Sequence, residues 1–176
     1  MSQPKEPRPV KLVASIFSPR KELIGEALRL MSEEFGSTDY LSRFIPFDYT
    51  DYYREEMGWP LVRRFASFEG LIDPSFLPEV KLFTNGLEGH FASAGRRGVN
   101  VDPGYLSEFH LILATGKGYA HRPYLRDGVY ADLTLIYRDK EFRPLEWTYP
   151  DYRSKETIDI LTKLRRKYVF QLKERR

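Results

Sequence analysis

The amino-acid sequence predicts an α+β fold, and three observations favour this class. In the first part of the chain, strand-like apolar runs and helix-like amphipathic runs follow in the order strand, helix, strand, strand, helix, strand. Several β-rich runs separated by turn residues come next, which is typical of an antiparallel meander. A last amphipathic helix closes the chain. Because the first part has the βαββαβ order of a ferredoxin-like unit, we expect that unit, extended by the meander and a C-terminal helix.

The first strand and helix have clear boundaries. Residues 10–17 are almost continuously apolar after Lys11, which is typical of a central strand buried on both faces. Ser18 followed by Pro19 predicts the N-cap and first turn of a helix. Gly36 predicts its end.

Two strands and a second helix are expected next. The strands cover 44–47 and 61–68, and a polar and aromatic excursion over 49–58 separates them. Pro78 fits the first turn of a helix that ends near Phe91 and buries one apolar face. The opposite face of this helix presents polar residues at i, i+3, i+4 and i+7, namely Lys81, Thr84, Asn85 and Glu88.

The second half of the chain is predicted to be rich in strands. They are expected over 99–101, 108–115, 119–125, 129–137 and 142–147. Asp127-Gly128 predicts a hairpin, because a two-residue turn requires residues that accept left-handed backbone. A helix over 155–172 completes a single domain of residues 1–176, with a polar tail over 1–8 and a basic tail over 173–176.

Composition excludes several kinds of site and partner. The chain has no cysteine, which excludes disulfides, thiolate nucleophiles, Cys-ligated zinc and iron–sulfur clusters. No apolar run approaches the roughly 18 residues of a membrane span, and the polar start shows no signal-peptide pattern, so we expect a cytoplasmic protein without a membrane partner. The high charge content and scarcity of Asn and Gln favour a thermophilic source. The net charge of +3, with much of the excess near the C-terminus, predicts weak, non-specific nucleic-acid binding at most.

The first candidate site lies around Asn100 and Asp102. Being two residues apart, they share one face of a strand if the strand extends that far. Arg96 and Arg97 lie between glycines, and guanidinium groups match the geometry of phosphate, so this loop suits the capture of an anion. The alternative is that Asp102 only caps a turn, because residues 102–105 have turn chemistry with a glycine that permits positive φ.

The second candidate site contains His121. If Asp127 and Gly128 are the central residues of the hairpin turn, His121 pairs with Thr134 and Asp132 lies diagonal to it. A carboxylate beside an imidazole fixes its tautomer, as acid/base catalysis requires. The alternative is a purely structural His–Asp pair.

Two other polar segments each have two interpretations. Asn85 and Glu88 either face the ligand cleft or belong to a solvated helix face, and the poor helix propensity of Asn favours the functional interpretation. The aromatic residues of 147–153 either stack on a ring of a ligand or pack beneath the last helix.

Several well-known motifs are missing. Residues 115–118 resemble a P-loop only faintly, because the first glycine and the magnesium-binding hydroxyl are lacking. No Rossmann fingerprint follows the first strand, and no Gly-x-Ser-x-Gly occurs. The cofactor is therefore undefined, and Asp102 is a metal ligand only if a divalent cation is present.

The polar segments together resemble a known family. They are residues 47–53, Lys81 with Thr84-Asn85 and Glu88, residues 100–105, His121-Arg122 with Tyr124-Leu125, and residues 147–153. Across nearly the whole chain they resemble the uncharacterised bacterial proteins of domain of unknown function 4416. That family has no established activity, so the resemblance implies no reaction. Some members are labelled GTP-binding proteins, but this sequence has no P-loop to support that function.

These observations predict a polar cleft that binds a phosphate-bearing, nucleotide-like small ligand and processes it. In this hypothesis Arg96, Arg97 and Arg122 bind the anion, Asn100 and Asp102 orient it, Asn85 and Glu88 line the cleft, and His121 with Asp132 performs acid/base chemistry. The alternative is a non-catalytic RNA- or protein-binding module that uses the basic C-terminal helix and the aromatic residues of 47–53. The first hypothesis predicts one concave site, whereas the second predicts a broad basic or apolar surface.

Overall fold

The computed structural model describes residues 1–175, and within them one nine-stranded antiparallel sheet carries helices on both faces. This is the α+β class that the sequence predicts. The strands are β1 (Val10–Ser18), β2 (Thr38–Leu41), β3 (Ile45–Pro46), β4 (Val62–Ile72), β5 (Asn100–Leu106), β6 (His110–Thr115), β7 (Tyr124–Arg126), β8 (Val129–Arg138) and β9 (Glu141–Pro144). The helices are α1 (Lys21–Phe35), α2 (Arg54–Met57), α3 (Leu77–His90), α4 (Pro150–Arg153) and α5 (Lys155–Glu174), with a 3₁₀ turn over Pro74–Phe76.

The strands follow the order β2-β4-β1-β5-β6-β8-β7, with β3 also paired to β4 and β9 to β8. Strand β1 lies between β4 and β5, and all nine of its residues are buried, as its apolar sequence predicts. Its alternate side chains enter two different cores. Leu12 and Ile16 pack against α1 and α3, whereas Val13 packs against α5.

The three long helices that the sequence predicts are present, but the first begins later than expected. Helix α1 starts at Lys21, with Arg20 as its N-cap. Ser18 instead accepts a hydrogen bond from the Arg20 backbone N–H at 3.0 Å and donates one to the Gly98 carbonyl at 2.6 Å. It thus joins the strand end to the loop before β5. Gly36, with φ of 89°, ends the helix as predicted.

The segment that the sequence analysis interpreted as a turn at residues 102–105 is the middle of β5, and that prediction is wrong. Gly104 is not in the left-handed region. It is required because a Cβ at this position would lie 2.3 Å from the Ile112 carbonyl oxygen on β6. Pro103 is tolerated because β6 pairs with β5 only from Gly104 onward.

The sheet divides between β5 and β6. Only three residue pairs, from Gly104–Leu113 to Leu106–Leu111, join these strands. Before Gly104, β5 pairs with β1 alone, while the end of β6 continues along β8. We call the resulting gap the fork.

Two side chains of α3 take the place of a neighbouring strand at the fork. The Val101 backbone N–H donates to Oε1 of Glu88 at 2.7 Å, and Nζ of Lys81 donates to the Val101 carbonyl at 3.4 Å. Both backbone groups of Val101, a fully buried residue, are therefore satisfied without β6.

The hairpin at Asp127-Gly128 forms as predicted, and both residues have positive φ. Its register is not the predicted one, because a bulge makes Tyr124 pair with Tyr130 where an unbroken two-residue hairpin gives Ala131. Residues 119–122 form a separate turn closed by a bridge between Tyr119 and Arg122. The predicted pairing of His121 with Thr134 therefore does not occur.

Within residues 1–175, no helix has both the length and the apolar character needed to cross a membrane.

Candidate functional site

Asn100 and Asp102 lie on the face of β5 that points toward α5. This follows from strand alternation, because Leu106 on the same face packs in the α5 core and Val101 on the other face packs in the α1 core. Nδ2 of Asn100 donates a hydrogen bond to Oδ2 of Asp102 at 3.0 Å. The two residues that the sequence placed together are thus in direct contact.

Arg97 holds this pair from the preceding loop. Its Nη1 donates to Oδ1 of Asn100 at 2.7 Å, while Nε and Nη2 bind both carboxylate oxygens of Glu56 at 2.5 and 2.7 Å. A longer contact of 3.4 Å reaches Glu88. The bond from Arg97 lowers the pKa of Glu56, and the same pairing raises the pKa of Arg97. Arg97 is therefore fixed in place by Glu56 and Asn100.

Arg96 points elsewhere. It follows a tight turn in which Ala94 and Gly95 have φ of 49° and 74°, and its side chain is exposed. The neighbouring arginines therefore do not form a joint anion site in this structure.

Asp102 lies deep within the fork although part of its surface remains open to solvent. Burial raises the pKa of Asp102, and the charges of Lys81 and Arg63 act in the opposite direction. A carboxyl group that is both deep and open can meet a ligand in a weakly screened environment.

A buried arginine on β4, which the sequence analysis did not assign to this site, adds a positive charge that acts on Asp102. Arg63 on β4 is only 1% exposed, and its Nη1 donates to Oδ2 of Asp151 at 2.5 Å. The guanidinium also lies over the rings of Phe65 and Phe47, at 4.6 and 5.1 Å from their centroids. The only sequence signal was a charged residue inside an apolar strand.

Tyr53 lies beside Arg97 at the edge of this region. Burial raises the pKa of the Tyr53 phenol, and the charge of Asp102 adds to the effect. The charges of Arg97 and Tyr149 also act on this phenol, and the Arg97 guanidinium lies 5.8 Å from the centroid of the Tyr53 ring.

A second part of the face is a groove of about 510 Å³. We call it the aromatic groove; its lining residues are Tyr119, Ala120, His121, Glu146 and Trp147. The His121 and Trp147 rings stack in nearly parallel planes, 13° apart, with centroids separated by 4.8 Å. The indole N–H of Trp147 donates to the Leu133 carbonyl at 2.8 Å and fixes the ring in place.

Arg122 and Asp132 lie next to the aromatic groove. Nε of Arg122 donates to Oδ2 of Asp132 at 2.7 Å, whereas Nε2 of His121 is 3.6 Å from the same oxygen. Asp132 therefore lies near His121, as predicted, but its shorter contact is with Arg122. The reason is the bulged hairpin, which places residues 121 and 122 on their own turn. Nη2 of Arg122 also donates to the Tyr149 hydroxyl at 3.2 Å.

Asp132 is paired with Leu113, and Leu113 with Gly104, so the side chain of Asp132 lies on the same face of the sheet as those of Asn100 and Asp102. The face holds Asn100, Asp102, His121, Arg122 and Asp132 of the predicted residues. Arg97 supports the Asn100 side chain from the edge of this face.

Of the polar stripe of α3, Asn85 lies on a solvated helix face, which is one of the two interpretations made from the sequence. Lys81, Thr84 and Glu88 are buried, and the first and last of these bind the backbone of Val101. Asn85 is exposed and makes no side-chain hydrogen bond within residues 1–175. The stripe therefore completes the edge of β5.

No three His, Asp or Glu side chains in the described part of the chain are grouped to hold a metal ion. The divalent-cation role that the sequence left open for Asp102 therefore has no supporting ligand set here.

Comparison with known proteins agrees with the resemblance seen in the sequence motifs. No curated protein and no solved structure matches the chain. The model of the family described as "Domain of unknown function (DUF4416)" matches residues 8–168, which is most of the chain. The protein therefore belongs to the DUF4416 family.

Proposed function

We propose that this protein binds and processes a small ligand that combines a planar ring with a phosphate group, such as a nucleotide. The observation that carries the proposal is the stack of His121 on Trp147 in the aromatic groove, directly beside the Arg122 guanidinium.

The ring of the ligand would extend the aromatic stack. Trp147 is 38% exposed and Tyr119 is 71% exposed, so both offer ring surface to a ligand. Stacking of a base on an aromatic side chain contributes roughly 1–3 kcal/mol, and it is tolerant of base identity. Its energy alone would give weak binding, so a second contact is needed.

The phosphate would meet Arg122. This guanidinium is already oriented by Asp132, Tyr149 and the Lys117 carbonyl, so little side-chain entropy is lost when it binds an anion. Arg122 thus takes the role that the sequence analysis divided among three arginines. Arg97 supports Asn100 instead, and Arg96 has no part in the proposal.

A non-catalytic RNA- or protein-binding module is the second candidate. Exposed Tyr52, with Nζ of Lys117 at 5.3 Å from its ring centroid, favours a surface contact of that kind. The C-terminal helix supports it less, because Arg165 donates to the Glu108 carbonyl and Lys167 pairs with Asp39. Of the basic tail over 173–176, the last residue lies outside the described residues.

We also propose that the first part of the chain is a ferredoxin-like unit. The strand order β2-β4-β1-β5, with α1 and α3 packed on one face, supports this topology.

The function can be tested by tryptophan fluorescence, because the chain has only two tryptophans. In the Trp59→Phe variant the remaining Trp147 should be quenched by AMP, GMP, CMP or UMP. In the matched Trp147→Phe variant, emission from the exposed Trp59 should not change. Ribose 5-phosphate should quench neither variant, since it has no aromatic ring.

Binding should also raise the melting temperature of the wild-type protein, and the rise should be lost in Trp147→Ala. Equal responses of the two single-tryptophan variants, or no response to any of the four nucleotides, would contradict the proposal.

A further inference from the structure

The environment of Asp102 is unlike that of the other buried carboxylates. Asp151 forms an ion pair with Arg63, and Glu88 accepts a hydrogen bond from the Val101 backbone N–H. Within residues 1–175, Asp102 receives a single hydrogen bond, from Asn100 to Oδ2, and Oδ1 receives none. Asp102 is also the one of these three that keeps partial solvent access. Its free oxygen is therefore available to a group that approaches from the solvent-exposed side of Asp102.

A buried hydroxyl near Asp102 also lacks a partner. Tyr152 is 4% exposed, and its Oη makes no hydrogen bond of normal geometry within the described residues, although the Ser15 hydroxyl lies near it. Asp102 is close enough for its charge to act on this phenol. Buried polar groups without partners are uncommon in folded proteins and are found at functional sites. A polar ligand group that reaches Asp102 would also satisfy Tyr152.

We propose that Asp102 exchanges a proton with the ligand held in the aromatic groove, and that Arg97 positions Asp102 through Asn100. The proposal rests on the function proposed above and adds its acid/base group. The proton moves between a carboxyl oxygen of Asp102 and an oxygen or nitrogen atom of the ligand. No other bond is made or broken in this step.

The groups around Asp102 act on its protonation in opposite directions. The charged and titratable groups that interact electrostatically with it are Lys81 and Glu88 from α3, Arg63 from β4, Asp151 and Tyr152 from α4, and Tyr53 before α2. Burial favours the neutral acid, whereas Lys81 and Arg63 favour the carboxylate. At a pH above the usual range for aspartate, the acid and carboxylate forms of Asp102 are therefore closer in free energy than the two forms of an exposed aspartate.

Arg97 acts on Asp102 only through Asn100. Glu56 fixes the guanidinium by two bonds, the guanidinium fixes the amide oxygen of Asn100, and the amide N–H₂ then points at Asp102. Arg97 is thus a positioning residue, and its removal should change the protonation of Asp102.

Esterification by a neutral diazo ester tests the proposal and needs no assay of turnover. A protonated carboxyl group gives its proton to the diazo carbon, and the carboxylate then bonds to that carbon as N₂ leaves. The rate of labelling therefore follows the fraction of a carboxyl group that is protonated. Peptide mass spectrometry measures this rate for each labelled residue. We expect the labelling of Asp102 to fall off at a higher pH than the labelling of exposed carboxyl groups on α1. A nucleoside monophosphate that quenches Trp147 should slow the labelling of Asp102.

Two matched pairs of variants test the positioning. Asn100→Ala removes a hydrogen bond that favours the carboxylate, so labelling above the midpoint should rise roughly three- to tenfold. Asn85→Ala, on the exposed face of α3, should leave it unchanged. Arg97→Gln should act in the same direction as Asn100→Ala, and the adjacent Arg96→Gln should have no effect.

Three results would overturn the proposal. The first is a wild-type midpoint for Asp102 equal to that of the exposed carboxyl groups, a measurement that needs no variant to fold. The second is a nucleotide that quenches Trp147 but does not slow the labelling of Asp102, which would leave binding in the aromatic groove intact. The third is the absence of any quenching, which would remove the proposed function and this proposal together.

Discussion

Replacing Glu88 tests whether the polar stripe of α3 is a structural substitute for a strand. In Glu88→Ala, the buried Val101 N–H loses an acceptor at 2.7 Å, and the buried Lys81 ammonium loses a nearby negative charge. A hydrogen bond to a charged group contributes about 1.5–3 kcal/mol, and a buried donor left unsatisfied adds to the cost. Part of this is offset, because burial raises the pKa of Glu88 and so destabilises its ionised form. We therefore expect a net loss of about 2–4 kcal/mol in the free energy of unfolding.

Glu88→Gln gives the sharper comparison. The amide oxygen can still accept the hydrogen bond from Val101, and only the charge is lost, so we expect a loss of about 1 kcal/mol. Asn85→Ala lies three residues earlier on the same helix and is exposed, so its effect should stay within about 0.5 kcal/mol.

Urea unfolding at neutral pH, with linear extrapolation to water, measures all three variants. If Glu88→Ala loses no more stability than Asn85→Ala, Glu88 does not support the edge of β5, and the stripe must be explained by another role.

Two further predictions concern β5. Gly104→Ala should lower the free energy of unfolding by at least about 1–3 kcal/mol, because its Cβ would overlap the Ile112 carbonyl oxygen. Gly86→Ala, on the exposed side of α3, should raise the free energy of unfolding by about 0.5–1 kcal/mol. Thermal unfolding compares the two variants, and changes of the same sign would contradict the close approach of β5 and β6. Burial raises the folded pKa of Asp102, so its contribution to stability is present below the unfolded value of 3.8 and is lost as pH rises through the folded pKa. Asp102→Asn should therefore stabilise the protein at neutral pH, with a gain that fades below about pH 4, and a gain independent of pH in urea titrations would refute this account.

The sequence predicted the elements whose signals are local. Continuous apolar residues identified β1, and the turn residues Asp127 and Gly128 identified the hairpin between β7 and β8. The same kind of local evidence misled at residues 102–105, where proline and glycine are usually turn residues. Gly104 serves a contact with β6, and such a contact depends on which strands become neighbours.

The site shows the same division between local and distant information. Asn100 and Asp102 could be paired from strand alternation alone. Arg63 could not be assigned to their site, because it arrives from β4 and depends on the order of strands in the sheet. His121 was placed near Asp132 correctly, but the bulge in the hairpin gave the closer contact to Arg122.

In most sheets, a neighbouring strand both satisfies the backbone of a strand and fixes the path of its own chain. At Val101 the side chains of Lys81 and Glu88 satisfy the backbone instead. Because Lys81 and Glu88 satisfy the edge of β5, the chain after Thr115 is released from the sheet and follows its own path through residues 116–123 to the aromatic groove. Substitutions or insertions in that stretch leave the backbone pairing of β5 untouched. The length and composition of residues 116–123 can therefore change while the pairing of the core strands stays the same.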